Sequence, residues 1–408
     1  MAHRQEQEAA DPEVSEVAPN VLRMQLPIRM PGLGHVNMYA LLDDQGAAVV
    51  DPGLPGPFTW KAIQHRLRQA GLKAKDIHTV IVTHSHPDHF GGATRFAKEH
   101  GARVIAHRSF NFGVAQSVVD NQPEVSLEDL EAQRDDDALQ AAQAREDGDD
   151  RDTPGSPHAH QHSTPETTKA GNFQSSKDQP RKSQSSKDQS RKDQTGWWGG
   201  PAPWGGRKHQ LPLRWRLQSR VMRALGRAMS APEVSHPVEQ GDLLNLAGRE
   251  MFVLHTPGHT QDHFCLHDPE AGLFLAGDHV LPTITPHISG LSSSEDPLLS
   301  FFYSLDRVGE IAGIQKSLPA HGHPFDDLKK RTEEIKRHHY ERLDKIREIS
   351  RDFGRPASVE EFSQRLFRPR SWGSMAESET YAHLEHLRHA SEAESHRDKQ
   401  GVLFYLTR

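Results

Sequence analysis

A single cysteine, Cys265, stands in the 408-residue chain, so an intramolecular disulfide framework is ruled out and a reducing compartment fits. Apolar residues are scarce at 34%, which implies that part of the length stays outside any packed core. No apolar run approaches the roughly 20 residues that span a bilayer, and Met1-Ala2-His3-Arg4-Gln5-Glu6 lacks the apolar core of a secretory signal. A soluble, cytoplasmic protein without a membrane span is therefore expected. Positive charge is not in excess either. A formal net charge of −7 argues against a strongly basic nucleic-acid binder and leaves only local patches to consider.

Histidine, by contrast, is abundant, with 28 in the chain. Four metal-capable side chains fall within Thr83-His84-Ser85-His86-Pro87-Asp88-His89, directly after the β-branched run Val80-Ile81-Val82. A strand ending there delivers the side chains to a sheet edge, and Phe90-Gly91-Gly92 lets the backbone turn into a helix. His84 and His86 are spaced to grip one ion, Asp88 and His89 a second. Imidazole and carboxylate are ligands that zinc, iron or manganese accept in hydrolytic sites.

The motif T-H-S-H-P-D-H resembles the H-x-H-x-D-H signature of metallo-β-lactamase-fold hydrolases, and further motifs of that family follow in order. Thr256-Pro257-Gly258-His259-Thr260 resembles its third histidine, Ala276-Gly277-Asp278 its bridging aspartate and Pro319-Ala320-His321-Gly322 its last histidine. Upstream, Val49-Val50-Asp51-Pro52-Gly53 resembles the first motif, whose aspartate supports the site from behind. The resemblance implies that His84, His86 and His259 hold one ion, that Asp88, His89 and His321 hold the other, and that Asp278 bridges them. It implies two divalent ions, zinc first with iron or manganese as alternatives, and an α+β fold, the four-layer αβ/βα sandwich. Asp88 and Asp278 are the expected catalytic carboxylates. His263, His279, His287 and His323 are candidates for supporting the ligands or touching substrate.

Water shared by two divalent ions loses a proton near neutral pH, and the resulting hydroxide can attack a carbonyl carbon or a phosphorus without a serine or cysteine nucleophile. The favoured reading is hydrolysis of an acyl bond, first a thioester as in hydroxyacylglutathione hydrolases. A phosphodiesterase or endoribonuclease is the alternative, and a non-hydrolytic di-iron or metal-binding protein the second. The partner is then a small acyl or thioester molecule rather than nucleic acid. Oligomeric state is not legible.

Along the chain, residues 1–18 read as a loose tail, and 19–115 as the first half of the hydrolase domain. Residues 116–236 read as an insertion. Within it, 148–194 is almost without apolar residues and repeats Gln174-Ser175-Ser176-Lys177-Asp178-Gln179 ten positions on, which predicts disorder. Residues 197–230, rich in tryptophan and arginine, read as a helical flap over the site. The second half of the domain follows over 237–354. From 355 to 408 the order helix, helix, strand resembles a winged helix, the C-terminal extension of glyoxalase-II-like and lactamase-beta-like hydrolases. Eight basic and eight acidic residues from Arg355 onward lack the positive excess that DNA binding needs.

Overall fold

The computed structural model describes residues 4–30, 32–111, 202–206 and 231–408. Its first sheet takes its strands in chain order: β1 (Val14–Ala18), β2 (Val21–Met30), β3 (Leu33–Asp43), β4 (Gly46–Val50), β5 (Ile77–Val82), β6 (Arg103–His107) and β7 (His236–Val238). The second sheet has the order β12 (Lys316–Pro319), β11 (Leu273–Gly277), β10 (Phe264–Asp268), β9 (Arg249–His255) and β8 (Leu243–Leu246). Alternation along the strands decides how these sheets stack. In β4, Ala48 and Val50 enter a core shared with the second sheet, whereas Ala47 and Val49 face the helices α1 (Pro57–Gln69) and α3 (Ala93–His100). In β11, Leu273 and Leu275 join the same inter-sheet core, while Phe274 and Ala276 pack toward α4 (Pro297–Gly309) and α5 (Leu328–Phe353). Helix, sheet, sheet, helix is the resulting order of layers, as the resemblance implied.

Strands β4, β5 and β6 run parallel, so their C-terminal ends share one edge of the sheet. Asp51, the 83–90 segment and His107 all lie there. The turn at 43–46 makes a hairpin, with Asp43 paired to Gly46 across β3 and β4. Local signals also set the helix ends. Asp296 caps α4 by accepting from the Leu299 N–H at 2.9 Å, and Gly101 and Gly354 end α3 and α5 at φ of +77° and +58°.

The N-terminal residues differ from expectation. Residues 4–18, read as a loose tail, contain a 3₁₀ turn at Gln5–Gln7 and the edge strand β1. Glu6 is fully buried, its carboxylate accepting from the N–H groups of Thr283 at 2.8 Å and Ile284 at 3.1 Å. Those partners are remote in sequence, so nothing local announced the contact.

Past α5 come β13 (Ala357–Ser358), α6 (Val359–Leu366), α7 (Ser374–His389), β14 (Ala393–Arg397) and β15 (Leu403–Thr407), the strands pairing in the order β13, β15, β14. The capping box Ser358 to Glu361 opens α6. Strand β14 is an addition to the expected order. This C-terminal module shares one apolar core with α4 and α5, through Phe362, Leu384, Leu387 and Tyr405. The disorder expected over 148–194 lies outside the described residues, as does the flap of 197–230 apart from residues 202–206. There Trp204 is buried on the C-terminal module, its indole N–H donating to Glu377 at 3.0 Å and its carbonyl accepting from the Leu403 N–H at 2.9 Å. Among the described residues no helix is long and apolar enough to cross a membrane.

Candidate metal centre

Each side chain that the sequence nominated arrives just after a strand. His84 and His86 follow β5, and Pro87 keeps His86 extended before the short helix α2 (Pro87–Phe90), which carries Asp88 and His89. Gly91 is required by close approach rather than by turning: its N–H donates 2.6 Å to the Gly53 carbonyl, and a Cβ there would fall 2.0 Å from the Leu54 carbonyl carbon. His259 follows Gly258, where φ is +135° and a Cβ would meet the Phe301 Cβ at 2.4 Å. Asp278 follows β11 directly after Gly277, which leaves room for the His263 ring; a Cβ on Gly277 would lie 2.5 Å from the His263 Nε2. His321 follows β12.

Two groups form. Ligand atoms of His84, His86, His259 and Asp278 lie within 4.8 Å of one another, and so do those of Asp88, His89 and His321. Asp278 stands between them. Its Oδ2 is 3.8 Å from His84 Nε2, 3.5 Å from His259 Nε2 and 3.6 Å from His89 Nε2, while its Oδ1 is 3.4 Å from His321 Nε2. Asp88 reaches His89 at 3.6 Å and His321 at 3.5 Å. Ligands held about 2.1 Å from a tetrahedral cation stand roughly 3.4 Å apart, so this spacing fits a metal better than direct hydrogen bonds.

Hydrogen bonds behind the rings decide which nitrogens are bare. Asp51 is buried at φ +54°; its Oδ1 accepts from the Thr83 N–H at 2.9 Å, and its Oδ2 from the Thr83 hydroxyl at 2.8 Å and His89 Nδ1 at 2.9 Å. With its proton given to Asp51, the Thr83 hydroxyl accepts from His84 Nδ1 at 3.1 Å. His259 Nδ1 donates to the His287 carbonyl at 2.7 Å and His321 Nδ1 to the His35 carbonyl at 2.6 Å. The Nε2 atoms of His84, His89, His259 and His321 are thereby left as lone pairs facing the clusters. His84 and His259 both point theirs at His86 Nδ1 from 3.0 Å, and one ring nitrogen can donate only once. His89 Nε2, His321 Nε2 and Asp278 Oδ1 are buried without a hydrogen bond. Unpaired buried acceptors are costly, and a pair of cations satisfies all of them. The residues therefore fit the two-ion site that the fold implies.

Electrostatics agree. Burial, then the neighbouring rings, holds His84 and His86 well below the usual histidine range, keeping them neutral as ligands must be. At His89 burial works downward too, but Asp88, Asp278 and Asp51 outweigh it and hold the ring well above its usual value. His321 is raised against burial by Asp278 and Asp88. Asp278 stays ionised, because His321 and His89 overcome the upward push of burial. Positive charge is what this second group selects.

Among the other nominated histidines, His263 supports the site directly, its Nε2 accepting from the Asp278 N–H at 3.0 Å and its Nδ1 donating to the Thr256 hydroxyl at 2.7 Å. His287 contributes its carbonyl to His259. His279 packs edge-on against Phe301 at 5.2 Å, and His323 bonds to Glu8 at 2.9 Å, away from the clusters. Two contributors carried no sequence signal. His35, inside β3, supplies the carbonyl for His321, and its Nε2 accepts from the Gly322 N–H at 3.1 Å. Asp262 accepts at 3.1 Å from the hydroxyl of Ser85, which stands between His84 and His86 in the chain, and burial raises its carboxyl to about 6. Cys265 is a buried thiol pushed up to about 12 by desolvation, which suits a small core residue and not a nucleophile.

Comparison with known proteins bears on the same residues. The chain is 31% identical over 99 residues to the atrochrysone carboxyl ACP thioesterase AacuM of Aspergillus aculeatus, a stretch that takes in 24% of this chain and 29% of that one. It is 43% identical over 47 residues to a hydroxyacylglutathione hydrolase of Maricaulis maris, 12% of this chain and 18% of that one. These matches span less than a third of either relative. A crystal structure of a metallo-beta-lactamase family protein from Thermus thermophilus superimposes with a TM-score of 0.64 at 25% identity, covering 96% of this chain and 100% of the other. The model of the metallo-beta-lactamase superfamily matches residues 31–167 and 192–352, and with these motifs, layers and clusters the chain belongs to that superfamily.

Proposed function

We propose that this protein is a two-metal hydrolase of acyl thioesters. The observation that carries the reading is the convergence of seven buried or half-buried ligands in two groups, joined by Asp278 and furnished with bare nitrogens on four histidines. Divalent cations bound there supply Lewis acidity and make water a competent nucleophile at neutral pH. The protein's own part is to hold and orient. His84, His86 and His259 would hold one ion, Asp88, His89 and His321 the other, and the Asp278 carboxylate would offset the repulsion between them. Asp88, a buried carboxylate 3.6 Å from His89 Nε2 and 3.5 Å from His321 Nε2, would take the proton released as water adds to the acyl carbon. That proton passes to the departing thiolate as the C–S bond breaks. No side-chain nucleophile is required.

Thioesters are favoured because two of the relatives named above are by name an ACP thioesterase and a hydroxyacylglutathione hydrolase, and because the C-terminal residues carry no positive excess for a polyanion. Metal analysis of the purified protein, joined to a panel of acyl thioesters, lactones and phosphodiesters, tests the reading. Two divalent ions per chain and thioester turnover with mild salt dependence are expected. Metal-dependent RNA cleavage that collapses from low to moderate salt, with no thioesterase activity, would establish a phosphodiesterase instead.

A further inference from the structure

We propose that Glu379 and Ser378 of α7 position His259 through the segment 287–290, so that the C-terminal module sets the cation affinity of the first group. This rests on reading the two groups as a two-metal centre. The ring of His259 is anchored behind the cluster by its hydrogen bond to the His287 carbonyl, so its placement follows that of residue 287. Segment 287–290 belongs to no helix or strand, and its fixed points come from α7. The Ser289 hydroxyl lies 3.2 Å from that of Ser378, and the Gly290 N–H lies 3.1 Å from the Ser378 hydroxyl and 3.2 Å from its carbonyl. Gly290 sits flush against the helix, since a Cβ would meet Tyr381 Cδ1 at 2.5 Å and the Ser378 carbonyl oxygen at 2.7 Å. At the next residue of the helix, His287 Nδ1 faces Glu379 at 3.4 Å.

Glu379 is itself fixed from α5. Arg342 donates to its other oxygen, reaches His338 Nε2 at 3.0 Å and lays its guanidinium over Phe367. Burial raises the Glu379 carboxyl, but Arg342 and His287 outweigh it and keep the group ionised. The second group is supported differently, His89 by Asp51 and His321 by His35. A contact that merely stabilised the fold would affect both groups alike, whereas a positioning contact acts on the first alone.

Zinc titration of the full-length protein against a competing chelator, with melting followed in parallel, separates these cases. Wild type takes up two equivalents, one of which is lost in His259→Ala. Glu379→Ala is expected to weaken that same equivalent about 10-fold or more and leave the other unchanged. His287→Ala, which keeps the carbonyl but removes the ring that Glu379 holds, should match it, and the double variant should lose no more than either single one. Should Glu379→Ala fail to fold, His287→Ala and Glu379→Gln carry the comparison, with Gln recovering part of the loss. Unchanged affinity, equal weakening of both equivalents or additive losses would overturn the proposal while leaving the two-metal reading intact. A wild-type protein that binds fewer than two equivalents would overturn both.

Discussion

Asp51 offers the sharpest test of how the centre is held, and Asp51→Asn is the perturbation to make. Asparagine tolerates the left-handed backbone seen at φ +54°, so the change isolates the side chain. An amide has one acceptor end and one donor end, while the carboxylate accepts three hydrogen bonds, from the Thr83 N–H, the Thr83 hydroxyl and His89 Nδ1. Two orientations are open to it. With its oxygen toward His89 it sets NH₂ against the Thr83 N–H, leaving a buried donor unpaired at a cost of about 1–3 kcal/mol. With its oxygen toward Thr83 it drives the His89 proton from Nδ1 onto Nε2, the atom that faces Asp88 and Asp278. The first orientation costs folding stability and the second turns the His89 lone pair away from the cluster, and in both the negative charge behind His89 is lost, so the second group holds a cation less well. At about 1.4 kcal/mol per decade the loss is roughly ten- to a hundred-fold in affinity. Zinc titration reads the affinity and denaturant unfolding of the metal-free protein reads the fold. Asp51→Ala should unfold still more easily, because alanine adds about 1–2 kcal/mol of left-handed backbone strain. Wild-type affinity for both equivalents in Asp51→Asn would refute the reasoning.

Three further outcomes are expected. Asp278→Ala should lower turnover by orders of magnitude and bring metal content below two per chain with the fold retained; full occupancy with near-native turnover would remove the bridging role. Gly258→Ala should melt earlier, by about 1–3 kcal/mol or more, and lose the His259 equivalent, because the new methyl collides with Phe301 at a left-handed backbone. The third concerns pH. His107 and His255 stack 4.1 Å apart, and burial holds them at about 3 and about 4 against 6.5 when free. Because these folded values lie below the unfolded one, their contribution is fully present above pH 6.5 and is lost as pH falls toward 4 and then 3. Urea midpoints measured across that window should fall less steeply in His107→Gln, and an unchanged slope would show that the pair does not titrate as argued.

Much of this architecture is legible in the sequence because its signals are local. The β-branched run Val80-Ile81-Val82, the glycine at the end of α3, the Asp296 cap and the strand-terminal motifs each sit within a few residues of what they specify. What stayed hidden depends on remote partners. Glu6 reads as part of an acidic tail until the Thr283 backbone meets it, and His35 is an ordinary strand residue until β3 runs beside the His321 loop. Strand β14, Ala393–Arg397, exposes four of its five residues and carries no apolar alternation, so only pairing with β15 reveals it. For the site, the clustered side chains were legible by motif, whereas the His35 and His287 carbonyls and the Asp262 carboxylate that brace the cluster were not.

The parallel pairing of β6 with β7 has a topological consequence. Ala106 and Pro237 are neighbours in the sheet although the intervening chain is longer than many whole domains. Treated as featureless polymer, a connection of about 128 residues costs only about 2 kcal/mol more to close than one of about 16, since each doubling adds about 0.6 kcal/mol. The seam between these two strands is thus a port where foreign sequence can be spliced in at small thermodynamic expense provided that residues 202–206, whose Trp204 is buried on the C-terminal module, are kept, and the clustered site residues, all on other elements, would register little of the exchange.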